Sequence, residues 1–70
     1  MSMKNNVKAA RAHKGFTQVE LAELLGVSRQ TIISIEVSRY NPSTVLSLKI
    51  AKYLEKSVED LFELESSDFE

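Results

Sequence analysis

Cysteine is absent from the 70 residues, and histidine occurs once, at His13. The first absence removes disulfides and thiolate metal sites. The second leaves no histidine cluster from which a metal site could be built. No apolar run approaches the roughly 20 residues of a membrane-spanning helix. The N-terminus turns polar by Lys4, so no secretory signal is expected. A chain this short buries only about 60% of its unfolded surface, and small scaffolds usually add a disulfide, a metal or a partner chain. With the first two excluded, efficient helix packing, self-association or both remain. The expectation is one cytoplasmic, soluble domain over residues 1–70, with its core at about 4–63 and a partly frayed acidic tail at 64–70.

Chemistry of a catalytic kind is also missing. No nucleophile–base pair surrounds His13, and no glycine-rich loop is present to cradle a phosphate. An enzyme, a cofactor, a bound metal and a small-molecule ligand are therefore not expected.

Net charge is −1, which at first argues against nucleic acid. Its distribution argues otherwise. Residues 1–56 carry all nine Lys and Arg against four acids, a net +5, whereas residues 57–70 carry six acids and no base, a net −6. Such asymmetry suits a nucleic-acid face on one side and an acid-tolerant surface on the other; a solvated surface with an acidic tail is the plainer alternative.

Helix punctuation is dense. Asn5-Asn6 opens VKAARAHK, which Gly15 stops. Thr17 and Glu20 have capping-box spacing and open QVELAELL, which Gly26 ends. Ser28 caps a third helix from Arg29 to about Val37. Asn41-Pro42 breaks the chain, Ser43 caps TVLSLKIAKYL, and Ser57 caps VEDLF. Met3-Lys4 and Phe62–Glu65 can form a small two-stranded pairing, and the last five residues, SSDFE, read as frayed. Apolar residues at i, i+3, i+4 spacing give the core. They are Val7, Ala10 and Ala9; Leu21, Ala22 and Leu25; Ile32 and Ile35; Ala51 and Leu54 with Leu48 or Ser47; and Val58, Leu61 and Phe62. The fold class is all-α, five helices around one core.

The joint between the second and third helices carries most information. Gly26 turns the chain, Val27 plugs inward, and Ser28 caps the next helix. So short a joint makes the two helices cross steeply. It needs a residue tolerant of positive φ, supplied by Gly26, and a small residue at the crossing, supplied by Ala22. Apolar meeting faces come from Leu21, Leu25, Val27, Ile32 and Ile35. This is the helix-turn-helix pattern; a generic helical hairpin is the alternative.

In that motif the second helix of the pair lies in the DNA major groove with its N-terminal residues against base edges. Arg29 can fork onto guanine O6 and N7, and Gln30 can pair with adenine N6 and N7. Ser34 follows one turn later, and Ile33, exposed by the helical period, can touch a thymine methyl or be a stray surface residue. Ser28 belongs to the same polar head. Gln18, Thr31, Arg39 and Tyr40 are the candidates for flanking phosphate contacts, Gln18 because a helix N-terminus favours an anion. Lys49 and Lys52 read as a solvated face.

The residues TQVELAELLGVSRQTIISIE, YNP, KIAKYL and SVEDLF resemble the phage Cro/repressor-type (Xre) helix-turn-helix family over about residues 4–63. That resemblance implies a five-helix, lambda-repressor-like DNA-binding domain of the compact stand-alone type, usually a homodimer, acting as a transcriptional regulator. It also implies that Arg11 and Glu36 form a semi-buried ion pair between the first and third helices. Two departures stand out. Relatives usually have Asn-Gly after the residue matching Glu36, where this chain has Val37-Ser38, and often Gly or Asn near Glu55-Lys56. Ser38 enters a left-handed turn at a cost of about 1 kcal/mol, or the third helix runs on, which bears on where Arg39 and Tyr40 fall.

The expected assembly is a repressor homodimer on a palindromic double-stranded operator, in the cytoplasm and away from membrane. Leu46, Ile50 and Tyr53 read as a second apolar stripe on the fourth helix; with Phe62 and Leu64 they are the candidate dimer interface. The alternative is a protein-binding module on the same fold, an antitoxin or anti-repressor partner.

Overall fold

Hydroxyl side chains open four of the five helices in the computed structural model, which describes residues 3–69. Thr17 Oγ1 accepts from Glu20 N at the start of α2 (Gln18–Leu25), with the reciprocal bond from Thr17 N to Glu20 completing the capping box. Ser28 accepts from Thr31 N at the start of α3 (Arg29–Glu36), and Ser43 from Leu46 N at the start of α4 (Thr44–Leu54). Ser57 and Asp60 form a second capping box at α5 (Val58–Leu61). The first helix, α1 (Val7–Lys14), is opened by Asn5, whose Oδ1 accepts from Val7 N at 3.2 Å. Each bond satisfies an otherwise orphaned N–H of a first turn. Gly15 and Gly26 end α1 and α2 in the left-handed conformation, at φ 82° and 72°. A methyl at Gly26 would meet nothing within 4 Å, so glycine is needed there for backbone freedom alone.

The five-helix all-α expectation holds, with two short strands added. β1 (Lys4–Asn5) pairs antiparallel with β2 (Phe62–Glu63), Lys4 opposite Glu63 and Asn5 opposite Phe62. The pairing starts one residue later than Met3-Lys4, because Met3 packs against the core while Asn5 is held by its side chain. α5 stops at Leu61, since Phe62 turns extended to join that pairing.

One core fills the space between the helices: Val7 and Ala10 from α1, Leu21, Ala22 and Leu25 from α2, Ile32 and Ile35 from α3, a stripe of α4, then Leu61 and Phe62. Ala9 faces water and is not part of it. On α4 the choice between Leu48 and Ser47 falls to Ser47, which is buried, while Leu48 is 57% exposed.

The proposed second stripe on α4 is corrected in the same way. Leu46 and Ile50 stand at i and i+4 before Leu54, so all three point one way and lie buried in the protomer's own core. Phe62 is buried too. None of the three is free to face a partner; of the five interface candidates, Tyr53 and Leu64 remain exposed. Ser66–Phe69 form a 3-10 turn, with Glu65 N donating to Asp68 Oδ2 at 2.8 Å. Glu70 lies outside the described residues. Among the described residues no helix is long and apolar enough to cross a membrane.

Candidate nucleic-acid interface

The turn between α2 and α3 is closed by Val27 N donating to Ala22 O at 3.0 Å and Gly26 N to Glu23 O at 3.2 Å. Ala22, buried at the crossing, lets the two backbones approach. This turn brings the first residues of α2 and α3, Gln18 and Arg29, into hydrogen-bond contact. There Arg29 and Gln30 are exposed, and Thr31, Ile33 and Ser34 are half-buried. Ser28 Oγ and Thr31 Oγ1 lie 3.0 Å apart, so both hydroxyls are engaged at the head of α3.

Ser38 has φ 62°, the left-handed conformation, so α3 ends at Glu36 with Val37 as its cap rather than running on. The turn folds back on the helix: Arg39 N and Tyr40 N both donate to Ser34 O, at 2.9 and 3.3 Å. Tyr40 thereby joins Gln30, Thr31 and Ser34 around one shallow groove, with Val27 and Leu46 also lining it. Arg39 is exposed but not among the groove's residues, and Lys49 and Lys52 are exposed on α4.

Two networks hold this surface; sequence reasoning missed the first, and of the second it foresaw the Arg11–Glu36 pair but not the bridge through Gln18. Ser38 Oγ donates to Met3 O and accepts from Asn5 Nδ2, each at 3.2 Å, and Asn5 Nδ2 also reaches Ile35 O at 2.8 Å. The Ser38 hydroxyl thus ties the N-terminal segment to the end of α3. The second network starts from the Arg11–Glu36 pair, whose nitrogen and oxygen lie 2.7 Å apart, with the Glu36 side chain only 2% exposed. Arg11 Nη1 also donates to Phe16 O at 2.8 Å. Glu36 Oε1 then accepts from Gln18 Nε2 at 3.1 Å, and Gln18 Oε1 accepts from Arg29 Nε at 3.3 Å. Gln18 is therefore a bridge as well as a helix-start residue, and Arg29 is not free of internal partners. The signal was present in the sequence as two polar residues at crossing helix starts, but their contact depends on the crossing angle.

An exposed polar helix head, braced from behind and set on a tight two-helix turn, defines a helix-turn-helix DNA-binding protein. The helix-turn-helix family model matches residues 7–61, and the chain belongs to that family in its Xre-type form. It is 50% identical over 66 residues to an uncharacterised HTH-type transcriptional regulator of Methanocaldococcus jannaschii, covering 94% of this chain and all of that one. It is 47% identical over 66 residues to an uncharacterised HTH-type transcriptional regulator of Bacillus subtilis, with the same coverage. Among solved structures it is similar to the restriction-modification controller protein C.AhdI of Aeromonas hydrophila. That match has a TM-score of 0.70 and 31% identity, covering 77% of this chain and 82% of that one. The family is one of non-enzymatic transcriptional regulators that bind double-stranded DNA.

Proposed function

We propose that this chain is a sequence-specific transcriptional repressor that binds a palindromic operator as a homodimer and reads the major groove with α3. The observation that carries the reading is the head of α3: Arg29 and Gln30 stand exposed, while the ion pair behind them is nearly dry. A braced, polar helix start is what base-edge recognition requires. The net +5 of residues 1–56 supplies attraction to phosphate, and the net −6 of residues 57–70 favours an orientation that turns the tail outward. Ser28, Thr31, Ser34 and Tyr40 border the same face, with Arg39 beside them, and would position the protein on the backbone; Ile33 would meet a thymine methyl. Repression needs only occupancy of the operator, so it is the simplest action for this fold. The cytoplasm, where such DNA is found, is the matching compartment.

Titration of duplex DNA at several salt concentrations tests the reading. Log affinity should fall with log salt at about 0.9 per phosphate neutralised. Arg29→Ala and Gln30→Ala should each cost roughly 1–3 kcal/mol on a selected operator and less on random duplex. Equal losses on both DNAs would defeat base reading. Absence of any salt-dependent duplex binding would favour a protein-binding module instead.

A further inference from the structure

We propose that two copies of this chain exchange tails: the acidic segment after β2 of one copy lies on the outer stripe of α4 of the other, and the reverse contact forms about the same two-fold axis. The inference deepens the homodimer reading above and rests on it, naming two different surfaces that meet.

The first surface is a helical stripe. Val45, Leu48, Lys49 and Lys52 stand at i, i+3, i+4 and i+7 on α4, so they share one side of the helix. It is the side away from the core: Val45 is 66% and Leu48 57% exposed, and both lysines are exposed. The N-terminal half of the stripe is apolar and the C-terminal half basic. The second surface is the segment after β2. Leu64 and Phe69 are 55% and 76% exposed, with Glu65 and Asp68 between them and Glu63 just before. Each surface thus combines apolar groups with charge, and the two charges are opposite in sign.

Neither surface is satisfied within the protomer. Among the described residues the ion pairs are Arg11 with Glu36 and Lys14 with Glu55, so neither lysine of the stripe and no acid of the tail has a salt-bridge partner. Nor does the tail cover the stripe of its own chain, since the apolar residues of both are exposed at once. The pairing of β2 with β1 holds the root of the tail where it is. A second copy supplies the complement of both surfaces, and in a two-fold pair the contact is made twice. The charges add direction more than strength, because single exposed ion pairs contribute little. Two stripes, or two tails, meeting face to face would set like charges together. Stripe against tail is the arrangement that buries the apolar groups and opposes the charges. It also masks part of the tail's negative charge, which would otherwise repel phosphate.

Sedimentation equilibrium of the full chain without DNA tests this. Two charge-reversed variants are compared with wild type: Lys49→Glu/Lys52→Glu on the stripe, and Glu63→Lys/Glu65→Lys on the tail, which leaves Asp68 to close its turn. Each alone should dimerise about 10-fold or more weakly than wild type, since like charges then face each other. An equimolar mixture of the two should recover dimerisation to within about 3-fold of wild type, because both contacts of the mixed pair are again of opposite sign. Recovery also shows that both variants fold. Wild type itself should dimerise about 5-fold more weakly at about 0.5 M salt than at about 0.05 M, as screening removes the attraction. The salt comparison uses wild type alone and so decides even where a variant fails to fold. A mixture of folded variants as weak as its components overturns the exchange and leaves the homodimer to another surface. Wild-type association that salt leaves unchanged or strengthens does the same. A wild type that stays monomeric throughout removes the homodimer reading and the exchange together.

Discussion

Asn5 and Ser38 meet across 33 positions of sequence, Nδ2 to Oγ at 3.2 Å, and the same hydroxyl donates to Met3 O. Ser38 therefore offsets a strained backbone with bonds a glycine could not make. Ser38→Ala keeps the strain and loses the hydroxyl, and should destabilise by about 1–2 kcal/mol. Ser38→Gly removes the strain, worth about 1 kcal/mol, but also loses the bonds. It should melt close to wild type and above Ser38→Ala. An alanine variant as stable as the glycine variant would show that the left-handed turn costs nothing.

Removing one partner of the Arg11–Glu36 pair leaves the other charge in a dry site. Arg11→Met should cost about 3 kcal/mol, a large share of the stability of a domain this size. The double variant Arg11→Met/Glu36→Met should regain part of that loss, because no unpaired charge remains. Urea melts of the three proteins check the order; a double variant weaker than Arg11→Met would contradict it.

Homodimerisation now rests on a smaller apolar surface. Tyr53 and Leu64 are exposed, and Val45 and Leu48 add an apolar pair on the outer side of α4. A two-fold contact there would set two α3 helices roughly 34 Å apart, one turn of duplex. Sedimentation equilibrium at micromolar concentration should show a species near twice 7.9 kDa, with Tyr53→Glu and Leu64→Glu shifted toward monomer. A wild type with no concentration dependence would rule the dimer out at that concentration.

Glu55 ends α4 with φ 56°, and its carboxylate is paired with Lys14 on α1. The hydrogen bond from Lys14, followed by its charge, lowers the Glu55 carboxyl below its ordinary value of 4.5, against a small opposing effect of burial. A lowered folded value means that the pair adds stability above the ordinary carboxylate range. That stability is lost as pH falls through the folded value. Lys14→Met should move the Glu55 titration back up toward 4.5, and its melting deficit against wild type should shrink in acid. The deficit should be small, since exposed ion pairs contribute little. A carboxyl titration followed by NMR settles the direction.

The helix starts were legible because their signals are local. Thr17 with Glu20, Ser28, Ser43 and Ser57 act within three residues, and Gly15 and Gly26 end helices by backbone freedom alone. The Arg11–Glu36 pairing came through family resemblance, since 25 positions separate the two. The bridge through Gln18 was hidden for the same reason: it exists only once α2 and α3 cross. The misread stripe on α4 had a different cause. Leu46, Ile50 and Leu54 repeat at intervals of four, so they were one face all along, and the burial of Phe62 required knowing that the chain turns extended there.

The bonds that open each helix reach three residues or fewer, and helical turns of this kind form in a microsecond or less. The ties made by Met3, Asn5 and Asn6 reach across 30 to 54 positions. Closing so long a loop is repaid only when the rest of the globule is in place. The N-terminal strap should therefore dock late in folding and open early. Because it is fastened to Ile35 O and Ser38 Oγ, each brief opening also slackens the far end of α3. Amide exchange at Arg39 and Tyr40 should therefore quicken when that strap, more than thirty residues earlier in the chain, is loosened.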